Sequence, residues 1–165
     1  MPPGTSSPGG PGGLPSALRP WLGSERATFG AAMVALVLIA MVALIYLAVE
    51  KLTNSTPVCF IVQGCDTVQN SQYSAFMGIP VSLFGLGVAV IVLASALTWW
   101  RNGDRRALYV LYGLGLASVF VIAALVYLEL FVIHAICIWC TIAGASLVLG
   151  WLVSVLAVRR FGTAS

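Results

Sequence analysis

Four blocks of this chain contain no Asp, Glu, Lys or Arg: residues 27–49, 67–100, 107–128 and 130–158. About 20 apolar residues in a helix cross the hydrocarbon of a bilayer, so each block is long enough to span one. Backbone amides in hydrocarbon must pair internally, which leaves only helices and closed barrels. A barrel requires repeated strands of about ten residues with alternating polarity, and this sequence has none. Only 8% of its residues are charged and 60% are hydrophobic, whereas soluble domains carry about 25% charged residues. The expected fold class is an all-α membrane protein, a bundle of four transmembrane helices.

The charges set an orientation. Arg19 and Arg26 precede the first span, Arg101, Arg105 and Arg106 separate the second from the third, and Arg159 and Arg160 follow the fourth. Lys51 is the one basic residue elsewhere. Basic residues concentrate in cytoplasmic loops, so both termini are expected inside, with the loop at 50–78 and the turn at 129–135 outside. The net charge of +3 is spread between loops and forms no stripe for nucleic acid.

Six of the eight prolines and five glycines fall in the first 20 residues, a composition that cannot bury a core. Residues 1–26 are therefore read as a disordered cytoplasmic tail, 27–158 as the catalytic four-helix domain, and 159–165 as a short basic tail. The first apolar block is longer and begins later than the apolar core of a secretory signal. Trp99, Trp100 and Arg101 are read as interface anchors. Gly78 to Pro80 are expected to open the second span, where proline is tolerated in a first turn. Residues 66–74 are expected to form a short interfacial helix. Gly85, Gly87, Gly113, Gly115, Ala117, Ser146 and Gly150 are small enough to let helices approach.

The four cysteines fall into two dyads. Cys59 and Cys65 lie in the long outer loop, where Gly64 allows a tight turn between them. Cys137 and Cys140 form a Cys-x-x-Cys pair at the start of the last span. Residues three apart share a helix face, so these two are expected to stack, with Cys140 the deeper. A helix N-terminus favours the thiolate, the form that attacks disulfides, which makes Cys137 the better-placed nucleophile. His134, three residues earlier, either adds positive charge or anchors the interface. On the predicted orientation all four sulfurs sit toward the outer side, where disulfides persist. This pattern points to redox chemistry. The alternatives are cysteine-based metal binding, which the five residues between Cys59 and Cys65 disfavour, and a structural membrane protein with a single loop disulfide.

Taken together, Cys59 and Cys65 in the first outer loop, the run from Cys65 to Ser71, Gly78-Ile79-Pro80 before the second span and Cys137-x-x-Cys140 on the last resemble the bacterial homologues of vitamin K epoxide reductase. These are four-helix membrane oxidoreductases that couple disulfide formation to quinone reduction. The resemblance covers roughly residues 29–158. In the other four-helix quinone-coupled disulfide oxidases the Cys-x-x-Cys precedes the separate pair, and here it follows.

The resemblance implies that Cys59 exchanges with an external thiol protein, that Cys65 passes electrons to Cys137, and that Cys140 faces the quinone, menaquinone or ubiquinone. It implies that Ser71 supports the active site. Vertebrate members place an Asn near the start of the second span and a Tyr shortly after the Cys-x-x-Cys. Val81 or Ser82, and Thr141 to Gly144, occupy those places here, so the headgroup contacts are unassigned. Many bacterial members carry a fused thioredoxin-like domain. The chain is expected to lack one, so a separate extracytoplasmic thioredoxin-fold partner is implied, with the protein in the inner or plasma membrane.

Overall fold

The computed structural model describes residues 19–53, 55, 58 and 64–162. Four long helices carry the fold: α1 (Arg19–Thr53), α3 (Val81–Asn102), α4 (Arg105–Tyr127) and α5 (Ile138–Ala157). Each is long and apolar enough to cross a membrane. Between α1 and α3 lie a short helix, α2 (Cys65–Gln69), and a two-stranded hairpin of β1 (Ala75–Phe76) and β2 (Ile79–Pro80). π-Helical turns extend α4 through Leu128–Ile133 and α5 through Val158–Gly162. α1 packs on α3 and α5, and α4 closes the square against the same two.

The side chains divide as lipid immersion requires. Met33, Val37, Leu44, Ala89, Val92, Ala96, Leu108 and Leu111 form the core, while Val42, Phe120, Val121 and Phe131 face outward. Small residues matter because helix association in lipid depends on close packing. A β-carbon on Gly115 would lie 2.5 Å from the ring of Trp151, and one on Gly85 would lie 3.2 Å from Leu44. Gly87 and Gly113 have open space in front of them, so they do not serve the helix contacts expected of them.

The up-down connectivity gathers seven arginines at one end of the bundle. There Arg160 pairs with Glu25 at 3.9 Å, and Phe161 packs edge-on against Phe29 and Trp99. These contacts account for two departures from expectation. α1 begins at Arg19, within the stretch read as a disordered tail, because Pro20 falls in the first turn, where its missing N–H costs nothing, and Glu25 and Phe29 tie the extension to the end of α5. Trp99 is 2% exposed and so is a core residue, lying on the face of α3 that also carries Ala89, Val92 and Ala96.

The opposite end holds α2, the hairpin and the turn between α4 and α5. Helix α2 stops at Gln69, short of the expected 66–74. Lys51 Nζ donates to the Gln69 carbonyl, Asn70 donates its side-chain amide to Asp66 at 2.7 Å, and Ser71 Oγ donates to the Val68 carbonyl at 2.7 Å. Gly78 and Pro80 do not both open the second span. Met77 and Gly78 have φ of 53° and 84°, the paired positive values of a tight two-residue hairpin turn. Pro80 is the cap of α3, with extended backbone at φ −55° and ψ 134°.

Candidate active site

The turn joining α4 to α5 sets the position of the Cys-x-x-Cys. The π-helical segment ends at His134, which is exposed and takes the left-handed conformation, φ 53° and ψ 34°. The Glu129 carbonyl accepts from the N–H of His134 and, at 3.0 Å, from that of Ala135. The chain reverses there and leaves Cys137 in extended backbone, φ −97° and ψ 111°.

Cys137 is therefore the cap of α5 and does not stack within its first turn as spacing alone implied. Its sulfur accepts from the backbone N–H of Cys140 at 3.3 Å, the contact by which a side chain ordinarily caps a helix. Cys137 lies between the two membrane-spanning segments. The Cys140 side chain, hydrogen-bonded to the Cys137 sulfur, holds that thiol below its ordinary pKa, and the N–H groups of Cys140 and Trp139 add to the effect. Burial and the charge of Glu129 oppose it. A stabilised thiolate at a helix N-terminus is a nucleophile for disulfide exchange.

Cys65 belongs to the same buried cluster as Cys137. Cys65 and Cys137 are both fully buried and share one cluster with Leu47, lined by Tyr46, Val68, Ile138, Trp139 and Cys140. Cys65 is disulfide-bonded, whereas Cys137 and Cys140 are free thiols. Cys59 lies outside the described residues. The approach depends on Gly64, because a β-carbon there would come within 2.6 Å of the Ile136 carbonyl oxygen and 2.7 Å of its nitrogen.

Val58 is clamped beside the pair. Val58 N–H donates to the Tyr46 hydroxyl at 3.0 Å, and the Val58 carbonyl accepts from Trp139 Nε1 at 3.1 Å. The two rings meet at 4.6 Å. One backbone unit is thereby tied both to α1 and to a residue inside the Cys-x-x-Cys.

Glu129 completes the site. It is 8% exposed, and its Oε2 accepts from the Cys137 N–H at 3.4 Å, which places the carboxyl beside the Cys-x-x-Cys. Of the expected site residues, Cys65, Cys137 and Cys140 are brought together. The Ser71 hydroxyl is engaged by the end of α2, at one remove from the sulfurs. Glu129, Gly64, Tyr46 and Trp139 carry contacts that spacing did not assign to them. An available signal for Glu129 was that it is the single acid between two apolar blocks, eight residues before Cys137.

The vitamin K epoxide reductase family model matches residues 31–155, spanning all four helices and both halves of the cysteine cluster. The chain belongs to that family. This vitamin K epoxide reductase family protein is accordingly a multi-pass membrane oxidoreductase of thiol–disulfide and quinone chemistry. Comparison with curated proteins finds no match. In this family member the Cys-x-x-Cys, the loop cysteine and the buried acid come from three separate elements, α5, α2 and the end of α4.

Proposed function

We propose that the protein oxidises an extracytoplasmic thioredoxin-fold dithiol and passes the two electrons through Cys59–Cys65 and Cys137–Cys140 to a membrane quinone. The observation that carries this reading is that Cys65 and Cys137 lie in one buried cluster. Intramolecular exchange requires sulfurs within reach of one another, and holding reactants in place replaces a bimolecular encounter.

The partner's thiolate attacks Cys59 in a Cys59–Cys65 disulfide, and Cys65 leaves as a thiolate. The partner's second thiol then closes its own disulfide and frees Cys59. Cys65 attacks Cys137 of the Cys137–Cys140 disulfide and expels Cys140. Cys59 in turn closes on Cys65, leaving Cys137 and Cys140 as a dithiol. Re-oxidation of that dithiol sends two electrons and two protons to the quinone, giving quinol. The sum is partner dithiol plus quinone to partner disulfide plus quinol. Ser71 is a positioning residue in this scheme, holding the end of the helix that begins with Cys65.

A quinone suits the surroundings. Gln69 Nε2 and Ser82 Oγ are buried at the cysteine end without a hydrogen-bond partner among the described residues, and buried donors call for acceptors. The carbonyl oxygens of a quinone head would meet that need, and Cys140 is the half-buried sulfur of its pair. Opposite ends of the bundle carry the arginines and the cysteines, so the bias of basic residues to the cytoplasm supports an extracytoplasmic active site and termini inside.

Purified protein in detergent or nanodiscs, given a reduced thioredoxin-fold donor under anaerobic conditions, is expected to produce one quinol per partner disulfide from menaquinone or ubiquinone analogues. Donor oxidation without quinol formation, or no oxidation at all, contradicts the reading.

A further inference from the structure

We propose that Glu129 is the proton carrier of the Cys137–Cys140 dithiol, accepting the Cys140 proton as that sulfur ionises and delivering it toward the quinol as it forms. This rests on the thiol–quinone reading above and names the proton path of the same site.

The placement of the acid is unusual for a membrane helix. An ionisable group at that level is costly and, as a rule, marks function. Glu129 is buried and sits in the π-helical turn that ends the span, a distortion that concentrates at functional sites. Its Oε2 accepts from the Cys137 N–H at 3.4 Å, at the cap from which the Cys137 sulfur in turn accepts the Cys140 N–H. Its hydrogen bond to the Cys137 backbone places the carboxyl beside the reacting pair, at the cap of α5.

The titratable groups that face it are few. From the start of α5 there are Cys137 and Cys140. From α2, which packs on the π-helical turn, Cys65 is disulfide-bonded and Asp66 is exposed. Three acidic groups thus crowd one apolar site, and like charges placed close together cannot all be ionised cheaply. Ionising Cys140 beside a Cys137 thiolate requires somewhere for its proton to go, and the buried carboxylate bonded to the Cys137 backbone is the available acceptor.

The atoms balance as follows. The Cys140 S–H bond breaks and an O–H bond forms on the Glu129 carboxyl. The Cys137 proton has already left to solvent at the loop end. The two sulfurs join and give up two electrons, which reduce the quinone. The Glu129 proton and one drawn from solvent complete the quinol, and Glu129 returns to carboxylate.

Glu129→Gln preserves an oxygen that can accept from the Cys137 N–H and removes the charge together with the ability to carry the proton; loss of the charge alone would favour the Cys137 thiolate, so a slower reaction reports the proton. In pre-reduced protein mixed with a short-chain menaquinone analogue, this variant is expected to oxidise Cys137 and Cys140 about 10²-fold more slowly, the usual scale for losing a general acid–base group. The variant should still form the mixed disulfide with the thioredoxin-fold donor, a step at Cys59, and Glu129→Asp, which restores the acid, should oxidise faster than Glu129→Gln. Infrared difference spectra of the unsubstituted protein supply a readout independent of folding in the variant. Followed in time, oxidation by the quinone should raise and then remove a protonated-carboxyl band that shifts in D2O, since Glu129 starts and ends as carboxylate. A Glu129→Gln rate equal to wild type, or a spectrum without a carboxyl change, overturns the assignment of Glu129 alone. Wild-type dithiol that does not react with quinone overturns the underlying thiol–quinone reading.

Discussion

Replacing Cys140 by alanine is expected to lower quinone reduction by at least about 10³-fold, the scale seen when a residue that forms a covalent intermediate is removed. With the loop couple oxidised Cys65 is disulfide-bonded, so the electrons that reach the quinone come from closing the disulfide between Cys137 and Cys140. Without Cys140 the pair cannot give up two electrons. The cap geometry should survive, because the donor to the Cys137 sulfur is the backbone N–H of residue 140, which alanine retains. The loop couple is likewise untouched, so the variant should still form the mixed disulfide with a reduced thioredoxin-fold donor, visible on a non-reducing gel. Quinol production near the wild-type rate would remove Cys140 from the electron path.

The second large effect is expected far from any sulfur substitution, at Gly64. Its φ of −102° and ψ of −8° are open to any residue, so its requirement is one of space. A valine there would drive its β-carbon into the Ile136 carbonyl oxygen and nitrogen, at 2.6 and 2.7 Å, and against Ala135 Cβ at 3.2 Å. Two of these are backbone atoms of the turn that leads into Cys137, and they cannot rotate away as a flexible side chain can. Relief comes only by moving α2 and Cys65 off that turn. Overpacking of this kind costs about 1–3 kcal/mol of stability. Misplacement by about 1 Å costs an intramolecular reaction about 10²-fold. Gly64→Val should therefore slow electron passage between the couples by about that factor, while the Cys137–Cys140 dithiol, once chemically reduced, still reacts with quinone. Gly113→Ala, whose new methyl meets nothing, is the control. Unimpaired exchange in Gly64→Val would show that the loop and the Cys-x-x-Cys need not touch there.

The four spans were legible because the absence of charge over 20 or more residues has one physical outcome in a chain this apolar. The gathering of the arginines at one end followed from counting an even number of spans. The Cys-x-x-Cys and the loop cysteines could be singled out by their spacing, but the extended backbone at Cys137 could not. It results from the reversal at His134, which adopts a left-handed conformation without the glycine that would have announced it. The π-helical turn that aims Glu129 at the sulfurs leaves no compositional mark either. Trp99 read as an interface anchor because tryptophan favours that level, yet helix rotation placed it in the core. Gly64 was noted for freedom to turn, whereas its role is to admit the backbone at Ile136. Each of these depends on contacts between segments distant in the chain, which periodicity and propensity do not encode.

The relay requires that the loop sulfur and the Cys-x-x-Cys sulfur meet. In a Cys59→Ser/Cys140→Ser double variant, Cys65 and Cys137 are the two cysteines that remain. Mild oxidation of that variant in membranes, followed by non-reducing digestion and mass spectrometry, is expected to yield one peptide pair joined through Cys65 and Cys137. Recovery of both as free, alkylated thiols after oxidation would contradict the account.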